Sequence, residues 1–148
     1  MTMERLSRVH HPQVPCEGAR LDLDADESHH ALRVLRLRPG DAVALFDGKG
    51  REWDAVLVEG DRFGAVVLVG AERAGSPDPR LRITLFQAIC RPERMEFVIQ
   101  KGTEVGLAAI VPFAARRGEV DPPSDERLRR YRRVALEAAK QSGRRIVP

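Results

Sequence analysis

The spacing of apolar residues changes character once along this 148-residue chain, across Ala74-Gly-Ser-Pro-Asp-Pro79. Before that stretch the apolar residues alternate in short runs broken by turn residues, the period of half-buried strands. After it, an apolar run is followed by spacings of three and four, the period of an amphipathic helix. Two such patterns on either side of a Pro- and Gly-containing segment predict two domains, 1–73 and 81–148, joined by a linker at 74–80. The fold class expected is α+β overall.

In the first part, Leu21, Asp22 and Leu23 alternate, and Asp24 with Glu27 has the form of a capping box. A helix is expected from about residue 25 to 35, with Leu32 and Leu35 on one face and Arg33 and Arg36 on another. Pro39-Gly-Asp41 ends it. Strand runs at 42–46, 52–59 and 63–69 follow, the first two joined through Asp47-Gly-Lys-Gly50, a hairpin signal. Short strands so closely spaced predict a small barrel.

In the second part, 81–89 and 108–113 are apolar strand runs. Between them Pro92 opens a helix whose inner face is read as Met95, Val98, Ile99, Gly102 and Val105, with Gly106 ending it. This βαβ order predicts parallel strands. Ser124 caps a further helix, with Asp125 and Glu126 in its first turn, an inner face of Leu128, Tyr131, Ala135, Ala138 and Ser142, and Gly143 as its stop. Two parallel strands and two helices make a small core for a sheet type normally covered on both faces. The α/β part is therefore expected to be the beginning of a larger domain.

Composition narrows the function classes. Hydrophobic content of 43% and charged content of 32% fit a folded soluble chain. No apolar run reaches membrane-spanning length, and the first residues lack the apolar core of a secretory signal. Membrane partners are not expected, and a cytoplasmic location is. Cys16 and Cys90 stand alone, so neither a structural zinc site nor a disulfide framework is expected. His29-His30 could be read as metal ligands, but neighbours on a helix point apart; no metal is expected. Neither of the nucleotide-loop patterns GxxxxGK[ST] and GxGxxG occurs.

Arginine outnumbers lysine 22 to 3, within a net charge of +3. Arginine-rich codon usage and phosphate recognition both account for this. Arg127 to Arg133 holds five arginines around Leu128 and Tyr131, read either as a solvated helix face or as an RNA contact. Lys101 and Glu104 are spaced for a surface ion pair or for a place beside a pocket.

Four segments, in order, resemble one family. His29-His-Ala-Leu-Arg-Val-Leu-Arg-Leu-Arg-Pro-Gly-Asp41 and Phe46-Asp-Gly-Lys-Gly50 are similar to its N-terminal module. Arg94-Met-Glu-Phe-Val-Ile-Gln-Lys-Gly-Thr-Glu-Val-Gly106 and Glu137-Ala-Ala-Lys-Gln-Ser-Gly-Arg144 are similar to its second domain. The family is the ribosomal RNA small subunit methyltransferase E group, the 16S rRNA uracil-N3 methyltransferases. The chain departs from the family pattern at Arg91, at Arg116-Arg117-Gly118 and at Lys140.

The resemblance implies a PUA-like RNA-binding β-barrel followed by the first part of a SPOUT (knotted parallel-sheet) methyltransferase domain. It implies methyl transfer from S-adenosyl-L-methionine to N3 of a uridine in 16S rRNA by the full-length protein, acting as a homodimer on rRNA or the small ribosomal subunit. The family's glycine-rich cofactor loop is absent from these 148 residues. The S-adenosylmethionine site is therefore expected outside them, and the chain alone is expected to be inactive. Arg8, Arg33 and Arg36 are the candidate RNA contacts. Lys101, Glu104, Gln141 and Arg144 are candidates to line or support the substrate side, and no catalytic residue is assigned. The alternative reading is a non-enzymatic RNA-binding or ribosome-assembly module.

Overall fold

A computed structural model describes residues 6–75, 78–116 and 122–148 of the chain. It divides into two units, Met1–Ser76 and Pro77–Pro148. Of the segment read as a linker, Ser76 and Pro77 lie outside the described residues, as do Arg117 and Gly118.

Among its described residues, unit 1 holds five strands: β1 (Ser7–His10), β2 (Arg20–Asp22), β3 (Ala42–Phe46), β4 (Glu52–Gly60) and β5 (Ala65–Glu72). They pair in the order β1-β3-β4-β5-β2, with β1 parallel to β3 and the other pairs antiparallel. The hairpins expected from the turn residues form. At the β3–β4 turn the Asp47 carboxylate accepts from the Lys49 and Arg51 amides at 2.8 and 3.1 Å, tying the turn to its own backbone. The pairings run in an open order with β1 and β2 at the ends.

β1 was not expected. Only Val9 of its four residues is an apolar core member, too little alternation to read as a strand. Its pairing is set by β3, where Val9 lies opposite Leu45. The expected helix is also different. α1 (Ala25–His29) passes into a π-helical turn, His30–Val34. The wider turn carries Leu32 and Leu37 onto the core and leaves Leu35 out of it. It ends on Arg36, which takes a left-handed conformation (φ 56°). A non-glycine residue there costs about 1–2 kcal/mol.

The capping box is half formed. The Asp24 carboxylate accepts from the Glu27 amide at 2.8 Å, but the Glu27 carboxylate turns to the His10 amide at 3.0 Å. Glu27 thereby ties α1 to β1 instead of closing the cap.

Unit 2 holds β6 (Thr84–Ala88), α2 (Pro92–Glu104), β7 (Ala109–Phe113) and α3 (Asp125–Ser142). β6 and β7 are parallel, as the βαβ order predicts. Pro92 opens α2, where its missing N–H removes no helical bond. The Ser124 side chain caps α3, and Gly143 ends it in the left-handed conformation. Met95, Ile99, Tyr131 and Ala135 form the core between the helices.

Two inner-face assignments are corrected. Val105 is 75% exposed, because the helix has ended by that residue, and Thr103 is buried instead. Ser142 is exposed, its hydroxyl donating to the Ala138 carbonyl at 2.7 Å. Asp78 and Pro79, read as linker, are packed within unit 2: Asp78 pairs with Arg144, and a Cβ on Gly106 would stand 2.5 Å from the Pro79 ring.

Candidate nucleic-acid interface

Unit 1 separates its arginines into two kinds. Arg8 is corrected from a surface contact to a buried one, because β1 sets it opposite Ala44 and against neighbouring β4 side chains. Its Nη2 donates to Glu52 Oε2 at 2.7 Å, with side-chain exposures of 7% and 8%. Its guanidinium carbon lies 4.3 Å from the Phe46 ring centroid. Glu52 also accepts from Arg73 at 2.9 Å, and Arg73 reaches Asp54 at 2.9 Å. A buried carboxylate between two guanidinium groups is a structural arrangement, since either partner alone would be an uncompensated charge.

Arg33 and Arg36 are both exposed. Arg33 borders a cleft of about 280 Å³ that also includes His29, Arg62 and Phe63. The last two were not singled out from the sequence, where Arg62 fell between two strand runs and Phe63 opened the second of them. An aromatic residue directly behind a turn was the only available signal. Among the described residues no group of three or more His, Cys, Asp or Glu side chains is arranged to hold a metal.

In unit 2 the four substrate-side candidates are not brought together as one surface. Lys101 Nζ and Glu104 Oε2 are 2.8 Å apart as an exposed i, i+3 pair. Gln141 is exposed on the last turn of α3. Arg144 is buried and supports the fold. Its Nε donates to Asp78 Oδ1 at 2.7 Å, and its Nη1 to the Thr103 and Leu107 carbonyls at 3.0 and 2.7 Å. Those two carbonyls lie at and just after the end of α2, where helical partners run out. Arg144 thus fastens the segment after α3 to the end of α2.

Four of the five arginines of α3 border a cleft of about 610 Å³ beside the first turns of α2 and α3, lined by Glu93, Glu96, Arg127, Arg129, Arg130 and Arg133, among others. Arg130 Nε lies 2.6 Å from Glu96 Oε1, and hydrogen bonding to that carboxylate raises the guanidinium pKa further above its ordinary value. Tyr131, in the core between the helices, has a buried hydroxyl with no hydrogen-bond partner among the described residues. Burial raises its phenol above the ordinary value, so it stays neutral.

Comparison with known proteins places this geometry. A family model described as an RNA methyltransferase PUA domain matches residues 23–69, and one described as an RNA methyltransferase domain matches 76–148. Ribosomal RNA small subunit methyltransferase E of Mycobacterium tuberculosis is 36% identical over 138 residues, 91% of this chain and 52% of the relative. The chain belongs to the ribosomal RNA small subunit methyltransferase E family. The Bacillus subtilis member is 28% identical over 137 residues, 89% of this chain and 53% of that protein. The chain spans about half the length of the curated relatives it matches.

Solved structures agree. A ribosomal RNA small subunit methyltransferase E from Neisseria gonorrhoeae, bound to S-adenosyl methionine, superposes with a TM-score of 0.89 at 34% identity, over 97% of this chain and 60% of that one. A methyltransferase from Legionella pneumophila, in complex with SAM, gives 0.90 at 28% identity, over 97% and 61%.

Proposed function

We propose that this chain forms the front part of an enzyme that methylates N3 of a uridine in 16S rRNA, with S-adenosyl-L-methionine as methyl donor. The observation that carries this reading is the match over 97% of the chain to two structures that hold that molecule. Unit 1 is the RNA-docking part, a PUA-like barrel, and unit 2 is the beginning of a SPOUT-type catalytic domain. The assembly is a homodimer working on the small ribosomal subunit in the cytoplasm.

The donor supplies an electrophilic methyl group on a positively charged sulfur. The cleft beside α2 and α3 does not fit it. The cleft at the start of α3 mixes four arginines with three glutamates, a surrounding with no net negative charge to favour a sulfonium cation. No residue here is therefore assigned to the donor, and the 148 residues alone are inactive in this reading. What the chain contributes is position. Arg33 and Arg36, exposed on unit 1, meet rRNA phosphates. Lys101, Glu104 and Gln141 serve the substrate side, with Arg144 holding the end of α2, which carries the first two. N3 of uridine must lose its proton as the methyl group arrives, so fixing the base in line is the main task of an RNA-holding domain.

Deleting the gene is expected to remove one N3-methyluridine from 16S rRNA, read by mass spectrometry of its nucleosides, and restoring the gene is expected to return it. An unchanged nucleoside profile after deletion overturns the reading. Within this chain, Arg33→Ala with Arg36→Ala is expected to weaken rRNA binding and to flatten its salt dependence. The slope should fall by roughly 0.7–0.9 log units per log unit of salt for each phosphate no longer neutralised. Unchanged affinity and slope would remove both residues from the docking surface.

A further inference from the structure

Unit 1 carries an aromatic side chain that its own core does not use. Phe63 is 81% exposed, in the turn between β4 and β5. The turn fixes it in place. The Asp61 amide donates to the Gly64 carbonyl at 3.0 Å, and the Asp61 carboxylate accepts from the Phe63 and Gly64 amides at 2.7 and 3.3 Å. The Arg62 guanidinium carbon lies 4.6 Å from the ring centroid, a distance at which cation and ring attract. Exposure of this degree leaves much of the ring open despite that contact.

The cleft of about 280 Å³ beside the ring is completed by α1 and the π-helical turn, which supply His29 and Arg33. Its wall is anchored. The Ser28 hydroxyl donates to the Leu23 carbonyl at 3.0 Å and accepts from the Ala65 amide at 3.1 Å, pinning α1 to the start of β5. Asp61 is the one carboxylate among the lining residues, and its Oδ1 is engaged by the turn amides.

The geometry points to a subsite for one unpaired nucleotide of RNA, its base stacked on Phe63 and its flanking phosphates met by Arg33 and Arg62. A phosphate-only contact would need the arginines but not an exposed ring. A purely apolar ligand would need the ring without two cations around it. A nucleotide uses both, through a sequence-tolerant stacking face and a cationic border. It must be unpaired, because a base inside a helix has no free face to offer. The subsite rests on the RNA-docking reading above and adds base stacking to it.

The test is binding of a fluorescein-labelled 12-nucleotide single-stranded RNA to the whole chain, followed by anisotropy over a range of salt. Phe63→Ala is expected to weaken binding by about 5–150-fold, the range for one aromatic–base stack, with the salt slope unchanged. Arg33→Ala is expected to weaken binding and flatten the slope by about 0.7 for a single-strand phosphate contact. Phe63→Trp is expected to keep the affinity, and its added emission to be quenched by RNA but not by inorganic tripolyphosphate.

Wild-type affinity in Phe63→Ala, with RNA binding by the unaltered chain intact, overturns the subsite and leaves docking standing. Equal quenching by tripolyphosphate also overturns it. Absence of RNA binding by the unaltered chain at low salt overturns the docking reading, and the subsite with it.

Discussion

In unit 1, eleven buried apolar residues drawn from four of its strands, from α1's continuation and from Leu23 form one cluster around Leu45, Leu57 and Val67. In unit 2, the described cluster is Met95, Ile99, Tyr131 and Ala135, all from two helices, and the sheet face away from them is open. Phe86 is 67% exposed there, with Val111 opposite it in register and Phe113 two residues further along β7, both exposed. Unit 1 buries its apolar side chains in one cluster shared by four paired strands. Unit 2 has fewer apolar residues to set beside its polar ties, above all those of Arg144 with Asp78, Thr103 and Leu107. A small core makes each such tie a larger share of the stability.

The comparison can be broken by removing one member from each unit. Asp78→Ala leaves the Arg144 charge buried without its partner, their side chains being 4% and 6% exposed. The expected loss is about 3–5 kcal/mol, confined to unit 2. Far-UV circular dichroism should register it, since α2 and α3 are the long helices of the chain. Trp53, the chain's single tryptophan and a member of the unit 1 core, should not. Leu57→Ala is the counterpart, with an expected cost of about 2–5 kcal/mol for the cavity. It should shift the Trp53 transition and spare the helical signal. A single shared transition in either variant would show that the two units do not unfold separately.

A smaller effect sharpens the contrast at one backbone position. Gly106 has φ of 102°, and an added Cβ would press on the Pro79 ring. Gly106→Ala is expected to destabilise unit 2 by about 1–3 kcal/mol, measured by denaturant unfolding. No change would mean that Pro79 and the turn move aside freely, and that the segment around Asp78 is not held as firmly as its bonds indicate.

The two units also differ in how much of them the sequence disclosed. Where turn chemistry or helical spacing was clear, the elements were legible: the β3–β4 hairpin, the parallel βαβ pair and the helices α2 and α3. The errors fall where tertiary contacts outweigh local pattern. β1 exists because β3 offers it an edge, and Arg8 lies buried because Glu52 neutralises it; neither partner is near in sequence. The π-helical turn follows from the fit of Leu32 and Leu37 to the core, which spacing alone assigned to Leu32 and Leu35. For the candidate site, Arg33 and Arg36 were legible as exposed charges, although only Arg33 lies on the helix and Arg36 is the left-handed residue beyond it. Phe63 was not, since it stood at the head of an apolar run read as a strand, which in the structure begins only at Ala65.

The smallest predicted effect asks whether a surface pair in unit 2 belongs to the fold or to the substrate. Lys101 and Glu104 are 48% and 30% exposed, so solvent screens their attraction. Lys101→Ala is therefore expected to change the stability of unit 2 by less than about 1 kcal/mol, in contrast to Asp78→Ala. If Lys101 serves the substrate side, the same variant introduced into the full gene should lower N3-methyluridine in 16S rRNA while the protein remains folded. Loss of stability without loss of methylation would instead make the pair one more of the polar ties that hold unit 2 together.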